Sequence, residues 1–183
     1  MQVVIFHGWG NTGESHWFPC VKAQLEQRGH TVLTPDLPDA DLPDLAKWLP
    51  FANTLTTYDE QTVLIGHSAG WPLILAMLER LHTPVRQAIS VAGFFEPLSE
   101  KPEDEPPILQ GQYDWKKIAT NAHSFTFIHS DDDPFGCGDT TGRNMWEHLG
   151  GTLVIPKGQG HFGSNDPKRD YPEFPLLVQL IGV

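Results

Sequence analysis

Short apolar runs rich in β-branched residues alternate along the chain with stretches in which apolar residues recur every three or four positions. Runs of the first kind are typical of strands, and stretches of the second kind are typical of amphipathic helices. Six runs predict strands, at residues 2–7, 31–35, 62–66, 87–92, 124–129 and 152–155. Because most of these runs are apolar at every position, helices should cover both faces of a mainly parallel sheet.

The segments between the predicted strands carry the helical spacing. Trp17, Val21 and Leu25 recur at intervals of four residues and predict the first helix. The second helix is predicted by a stripe of four apolar residues, Leu42, Leu45, Ala46 and Leu49. A third helix is predicted from Ala69, and weaker patterns predict helices at 140–149 and 175–182. This alternation predicts an α/β fold with a six-stranded sheet between two layers of helices.

One segment, residues 94–116, interrupts the alternation. It contains four prolines, and five carboxylates lie between Glu96 and Glu105. Such a composition is typical of a solvated surface loop. If a site lies at the strand ends, the same segment is a candidate mobile flap over that site.

Length and charge narrow the class of protein. A chain of 183 residues supports one domain over residues 1–183 with its own core, and leaves little room for a separate cap domain. The formal net charge of −11 repels phosphate and anionic lipid, so we expect neither nucleic acid nor a membrane as partner. Cys20 and Cys137 provide no disulfide framework, and no secretory signal is visible, so a cytoplasmic location is expected.

Candidate chemistry begins at Gly66-His67-Ser68-Ala69-Gly70, which follows the third predicted strand and opens a predicted helix. This is the context of the G-x-S-x-G nucleophile elbow. The strand-to-helix turn strains the serine backbone, and side chains at the flanking glycines would clash with neighbouring elements. Ser68 is therefore the candidate nucleophile, and the Ala69 N–H is a candidate donor to an oxyanion.

A serine hydroxyl is a poor nucleophile near neutral pH and requires a base and a carboxylate that orients the base. Asp131, Asp132 and Asp133 follow the fifth predicted strand, and His161 lies in a glycine-rich loop after the sixth. Because the carboxyl ends of parallel strands share one edge, these groups should meet Ser68 there. The spacing permits any of the three aspartates as the acid, and we interpret the other eight histidines as structural. The aspartates lack the glycine and the downstream Glu of a calcium loop, so no metal is expected.

A competing pattern follows the first predicted strand. Gly8-Trp9-Gly10-Asn11-Thr12-Gly13, with Asp36 after the second strand, matches the dinucleotide-binding fingerprint G-x-G-x-x-G. In that motif the helix starts near the second glycine, which would leave Pro19 in the helix interior at a cost of about 3 kcal/mol. A helix with Ser15 as N-cap puts Pro19 in the first turn instead. The loop then serves better as the source of a second oxyanion donor, the N–H of Trp9.

Taken together, the motifs resemble the small α/β-hydrolase-fold serine hydrolases related to retinoblastoma-binding protein nine. The resemblance runs nearly end to end and is carried by His7-Gly8-Trp9-Gly10 with Trp17, Trp48-Leu49-Pro50-Phe51, the elbow, Trp115-Lys116-Lys117-Ile118, Asp132-Asp133-Pro134-Phe135 and Gly160-His161-Phe162. It implies a minimal three-layer α/β-hydrolase sandwich and makes Asp133 the acid of the triad. The chain departs from the family at Gly136-Cys137-Gly138 and in its acidic stretch at residues 96–105.

The resulting prediction is a serine hydrolase in which Ser68 attacks an acyl carbon, His161 moves the proton and Asp133 orients His161. A small ester, thioester or amide is the expected substrate, with no cofactor. Aromatic residues near the catalytic loops are candidates to line an apolar acyl pocket: Trp71, Phe94, Phe95, Phe135 and Phe162. The alternatives are a catalytically weak protein that binds a protein partner through the acidic segment, and a dinucleotide-binding protein.

Overall fold

All six predicted strands are present in a computed structural model, which describes residues 1–99, 101, 106–163 and 171–181. Their bounds are β1 Gln2–Phe6, β2 Thr31–Leu33, β3 Thr62–His67, β4 Gln87–Val91, β5 Phe125–Ile128 and β6 Thr152–Val154. The strands pair in parallel in the order β2-β1-β3-β4-β5-β6. The predicted α/β class with a mainly parallel six-stranded sheet is confirmed.

The strand order reverses beside β1. The chain passes from β1 outward to β2 and then returns to β3 on the other side of β1. The loops that follow β1 and β3 therefore leave the sheet in opposite directions, which opens a crevice at its carboxyl edge. In the register of the central strands Ile65 pairs with Ile5 on one side and with Ile89 on the other.

Six helices flank the sheet in the described part of the chain. They are α1 Phe18–Gln27, α2 Leu45–Leu55, α3 Gly70–Leu78, α4 Trp115–Thr120, α5 Asp139–Leu149 and α6 Pro175–Leu180. Helix α1 packs against α6, whereas α2 contacts α3, α3 contacts α4 and α4 contacts α5. No helix among the described residues is long and apolar enough to span a membrane.

Two predicted helix starts were wrong. Helix α1 begins at Phe18 with Trp17 as N-cap, because the Ser15 hydroxyl instead accepts the Thr12 N–H at 3.0 Å in a preceding turn. Pro19 nevertheless lies in the first turn, as predicted. Helix α2 begins only at Leu45, after Asp44 caps it by accepting the Ala46 N–H at 2.8 Å. Leu42 therefore lies outside the helix and is 56% exposed.

Residues 94–116 are only partly the surface loop that their composition predicted. Phe94, Phe95 and Ile108 are buried, and residues from Trp115 form α4, so apolar contacts override the polar composition at both ends of the segment. Glu96 is exposed, while Glu100, Glu103, Asp104 and Glu105 lie outside the described residues. A flap over the site stays a prediction.

The start of α3 lies against β1 with no room for a side chain. A Cβ on Gly70 would lie 2.4 Å from the Phe6 carbonyl oxygen, and a Cβ on Gly66 would lie 2.8 Å from the Gly70 backbone. Both glycines are therefore required by a close approach of backbone to backbone, which lets β3 turn directly into α3.

Replacing Gly70 with alanine should lower the free energy of unfolding by about 3 kcal/mol or more, because the backbone of β1 must move. Gly29→Ala is the matched control. Gly29 has a φ of +81° and open space around it, so only the left-handed conformation costs energy, about 1 kcal/mol. Urea unfolding of both variants checks the difference, and equal losses would contradict the close-approach explanation.

Candidate active site

Ser68 occupies a sharp turn between β3 and α3. Its φ is +51°, in the left-handed region that a non-glycine residue seldom adopts. Its N–H donates to the Val91 carbonyl at 3.0 Å, and its own carbonyl accepts the Trp71 N–H at 3.0 Å. Bonds to β4 and to the first turn of α3 thus hold the strained backbone on both sides.

The loop after β1 passes directly beside Ser68. A Cβ on Gly8 would lie 2.9 Å from the Ser68 Cβ and 3.4 Å from its hydroxyl oxygen. Within the described part of the chain, the backbone N–H groups of Trp9 and Ala69 have no hydrogen-bond partner. Two amides next to a serine hydroxyl are the groups that can stabilise an oxyanion there.

His161 is paired with Asp133. The His161 Nδ1 lies 2.6 Å from Asp133 Oδ2, and the exposed fractions of the two side chains are 3% and 0%. The other oxygen of Asp133 accepts the N–H groups of Phe135 at 2.8 Å and of Cys137 at 3.3 Å. These amides fix the carboxylate so that Oδ2 faces the imidazole. A proton on Nδ1 then leaves Nε2 with its lone pair, as a general base requires.

The two neighbouring aspartates bind the same glycine-rich loop. Asp131 accepts the Gly158 N–H at 2.6 Å, and Asp132 accepts the Gly160 N–H at 2.7 Å. Both glycines have positive φ, so the loop has little regular structure of its own. All three aspartates therefore join the loop after β5 to the His161 loop after β6, and Asp133 is the one that reaches the imidazole.

His67, inside the elbow, holds the His161 backbone. Its Nε2–H donates to the His161 carbonyl oxygen at 2.9 Å, and the two ring centroids are 5.1 Å apart. The His67 side chain is fully buried, with Trp17 and Phe18 in edge contact with its ring. Burial, and then the proximity of His161, hold the pKa of His67 well below its ordinary value.

Two more buried histidines tie loops to the same edge. The His7 Nε2 accepts the Leu37 N–H at 2.9 Å, so its Nδ1–H donates to the Gly8 carbonyl at 2.8 Å. The His129 Nδ1 lies 2.8 Å from the Cys137 carbonyl, and burial lowers the pKa of His129 to about 4. Sequence reasoning treated these residues only as structural. Their position in the sequence could have indicated this role, because a histidine ends β3 and a histidine directly follows each of β1 and β5.

The aromatic residues predicted to line a pocket divide into two groups. Trp71 and Phe162 are fully buried, and Phe94 and Phe95 are also buried. Their burial is that of core residues, and a substrate-lining role for these four stays a prediction. Phe135 is 42% exposed, and its ring centroid lies 4.9 Å from that of His161. Phe135 therefore contacts the imidazole, and its role in lining an acyl pocket stays a prediction.

The last glycine of the dinucleotide-binding pattern, Gly13, packs against and hydrogen-bonds to other residues of the protein. The Asp36 carboxylate accepts the Gly13 N–H at 2.8 Å, and a Cβ on Gly13 would lie 1.9 Å from the Thr34 carbonyl oxygen. Helix α1 begins at Phe18, five residues beyond the last glycine of the pattern, so its N-terminus does not follow the loop as the fingerprint requires.

One group among the described residues places three potential metal ligands together. Ligand atoms of Asp133, Cys137 and His161 lie within 4.8 Å of one another. The carboxylate and the imidazole are already joined by the 2.6 Å bond, so a metal ion at this position would have to displace the proton between them.

The fold and the site define a hydrolase of the α/β-hydrolase fold. A methylesterase from Arabidopsis, MES16, shares this fold at a TM-score of 0.60 with 14% sequence identity, over 88% of this chain and 91% of that chain. The chain belongs to the serine hydrolase family, whose model matches residues 3–179.

Two relatives support the family assignment. The putative hydrolase YdeN of Bacillus subtilis strain 168 is 32% identical over 190 residues, which cover 98% of this chain and 94% of YdeN. The crystal structure of the ydeN gene product matches at a TM-score of 0.87 and 28% identity, over 97% of this chain and 95% of that chain. The serine hydrolase RBBP9 of Rattus norvegicus is 31% identical over 134 residues, or 73% of this chain and 71% of RBBP9.

The buried histidines predict a loss of stability in mild acid. Burial lowers the pKa of His7, His67 and His129 below the ordinary value of 6.5. Below pH 6.5 the unfolded chain binds protons at these positions and the folded protein does not. The free energy of unfolding should therefore fall as the pH decreases from 6.5, with His129, whose pKa is about 4, contributing roughly 1 kcal/mol per pH unit and the other two histidines acting in the same direction.

Urea unfolding at pH 7.5, 6.5 and 5.5 tests this expectation in a range where most unperturbed carboxyl groups stay ionised. Imidazole NMR signals provide the residue-specific control, because the His129 ring should stay neutral at pH 5.5. A free energy of unfolding that is constant across this range would show that burial does not keep these rings neutral.

Proposed function

We propose that the protein hydrolyses small carboxylic esters through an acyl-enzyme on Ser68, with His161 as general base and acid and Asp133 as the orienting carboxylate. The observation that carries the proposal is the 2.6 Å hydrogen bond between His161 Nδ1 and Asp133. The loop that contains His161 is held by His67, the residue directly before the strained Ser68. Thioesters and amides are related acyl substrates. The ester is preferred because a structural neighbour with the same fold is a methylesterase.

The chemistry proceeds in two steps. His161 Nε2 removes the Ser68 proton as Oγ bonds to the acyl carbon, and the amides of Trp9 and Ala69 stabilise the oxyanion. His161 then returns the proton to the alcohol oxygen as the carbon–oxygen bond breaks. Water, deprotonated by the same imidazole, releases the acid and restores the serine. No cofactor is needed in either step.

Ser68→Ala should abolish covalent labelling by a fluorophosphonate probe and lower kcat/KM for ester hydrolysis by about 10³-fold or more. Mass spectrometry of the labelled wild-type protein should place the probe on Ser68. The matched control is Ser124→Ala, which changes a serine just before β5 at the opposite edge of the sheet. Labelling on Ser164 or Cys137 would overturn the assignment. Labelling of Ser68 without turnover of a broad ester panel would favour a protein-binding role.

Asp133→Asn should reduce kcat by about 10³- to 10⁴-fold, because an amide NH₂ facing Nδ1–H favours the wrong tautomer of His161. Asp131→Asn and Asp132→Asn are matched controls from the same run of aspartates. Each retains an oxygen for the Gly158 or Gly160 N–H, so each should lose far less activity. Steady-state kinetics of the three variants decides, and a larger loss for Asp132→Asn would mean that Asp133 is not the acid.

A further inference from the structure

Exposed apolar side chains gather at the edge that holds Ser68. Among the described residues, six large hydrophobic side chains are exposed, and five of them follow the carboxyl ends of strands: Trp9, Leu42, Leu98, Phe135 and Ile155. The sixth, Trp146, lies in α5 and donates through its indole to the Gly151 carbonyl, just before β6 at the other edge. Exposed apolar surface concentrated around a reactive group is typical of a ligand-binding surface.

One of these side chains contacts the imidazole, and a second lies close to the residue that follows it in the chain. The Phe135 ring meets the His161 ring edge-on, at a centroid distance of 4.9 Å and an interplanar angle of 78°. Leu98 lies close to the next residue, Gly136, since its Cδ2 is 3.8 Å from the position that a Cβ on Gly136 would take. Phe135 and Leu98 are 42% and 41% exposed. We call these two exposed apolar residues the Phe135–Leu98 pair, and Phe135 is the member that contacts the proton-transferring residue.

The direction of proton transfer decides which part of a substrate meets this pair. Acylation forms the bond from Ser68 Oγ to the acyl carbon and breaks the bond from that carbon to the alcohol oxygen. The Ser68 proton travels through His161 to the departing oxygen, so the alcohol portion lies against the imidazole. The oxyanion lies instead at the Trp9 and Ala69 amides, and the acyl group stays on Ser68.

We infer that the Phe135–Leu98 pair binds the alcohol portion of the substrate, and that the preferred substrates are esters of apolar, above all aromatic, alcohols. This inference rests on the proposed function. It differs from an acyl pocket in one kinetic respect: the alcohol has left before water attacks, so the pair acts in acylation and not in deacylation. Two esters that share an acyl group then differ only in the first step.

The test compares ethyl acetate with benzyl acetate. Both form the same acetyl-enzyme, so any difference between them arises in acylation. Phe135→Ala should lower the ratio of kcat/KM for benzyl acetate to kcat/KM for ethyl acetate by about tenfold, the size expected for a lost aromatic contact. Phe135→Leu should retain most of the ratio. The Asp133 bond is kept in both variants, because it uses the backbone N–H of Phe135.

Trp146→Ala is the matched control, since Trp146 is a similarly exposed aromatic residue at 40% and should leave the ratio as in the wild type. A second measurement does not depend on turnover. Benzyl alcohol should protect Ser68 from a fluorophosphonate probe, and Phe135→Ala should raise the concentration for half protection by about tenfold.

Two outcomes separate the failure of the inference from the failure of the proposed function. If Phe135→Ala changes both acetates equally, or if its effect follows the size of the acyl group in a series of ethyl esters, the alcohol does not lie on this pair. If Ser68→Ala hydrolyses the two acetates as fast as the wild type, the acyl-enzyme mechanism itself is wrong.

Discussion

The site depends on one backbone constraint, the close packing of β1, β3 and the first turn of α3. Three glycines make it possible: Gly66 and Gly70 let β3 turn into α3 against the Phe6 carbonyl, and Gly8 lets the loop after β1 touch Ser68. This packing forces Ser68 into the left-handed region and brings the Trp9 amide beside its hydroxyl. Hydrogen bonds to neighbouring strand and helix backbone maintain this strain, so the turn that carries Ser68 is already formed in the protein without a ligand.

A second layer of interactions joins the loops at this edge to one another. Buried neutral histidines hold three of the loops through ring nitrogens, with His67 joining the elbow to the His161 backbone. Consecutive aspartates join the loop after β5 to the loop after β6. Because a hydrogen-bonded neutral imidazole satisfies backbone polar groups without a buried charge, it suits such positions. Because these buried imidazoles must stay neutral, the folded protein should lose stability in mild acid.

Features that depend on local sequence patterns, such as the strands, could be predicted from the sequence. Features that depend on tertiary contacts, such as the start of α1, could not. The strands follow from runs of apolar residues, and Ser68 and His161 were proposed as site residues because each lies in a connection that follows a strand. The start of α1 was wrong because the Ser15 hydroxyl is used in a turn, which no periodicity reveals. Spacing alone also left open the choice among three aspartates, because all of them bind the same neighbouring loop. Only the direction of each carboxylate distinguishes Asp133.

The position of the exposed apolar residues follows from the same architecture. Side chains on the central strands β1, β3, β4 and β5 are almost all buried, so the loops at the carboxyl edge are where an apolar side chain can meet a substrate. The net charge of −11 acts in the same direction, because an excess of carboxylates disfavours anionic ligands. On the proposed mechanism, apolar contact with the leaving alcohol would complement this exclusion of anions by charge. Specificity in this protein would thus reside in single side chains at strand ends, while the backbone beneath them supplies the reactive geometry.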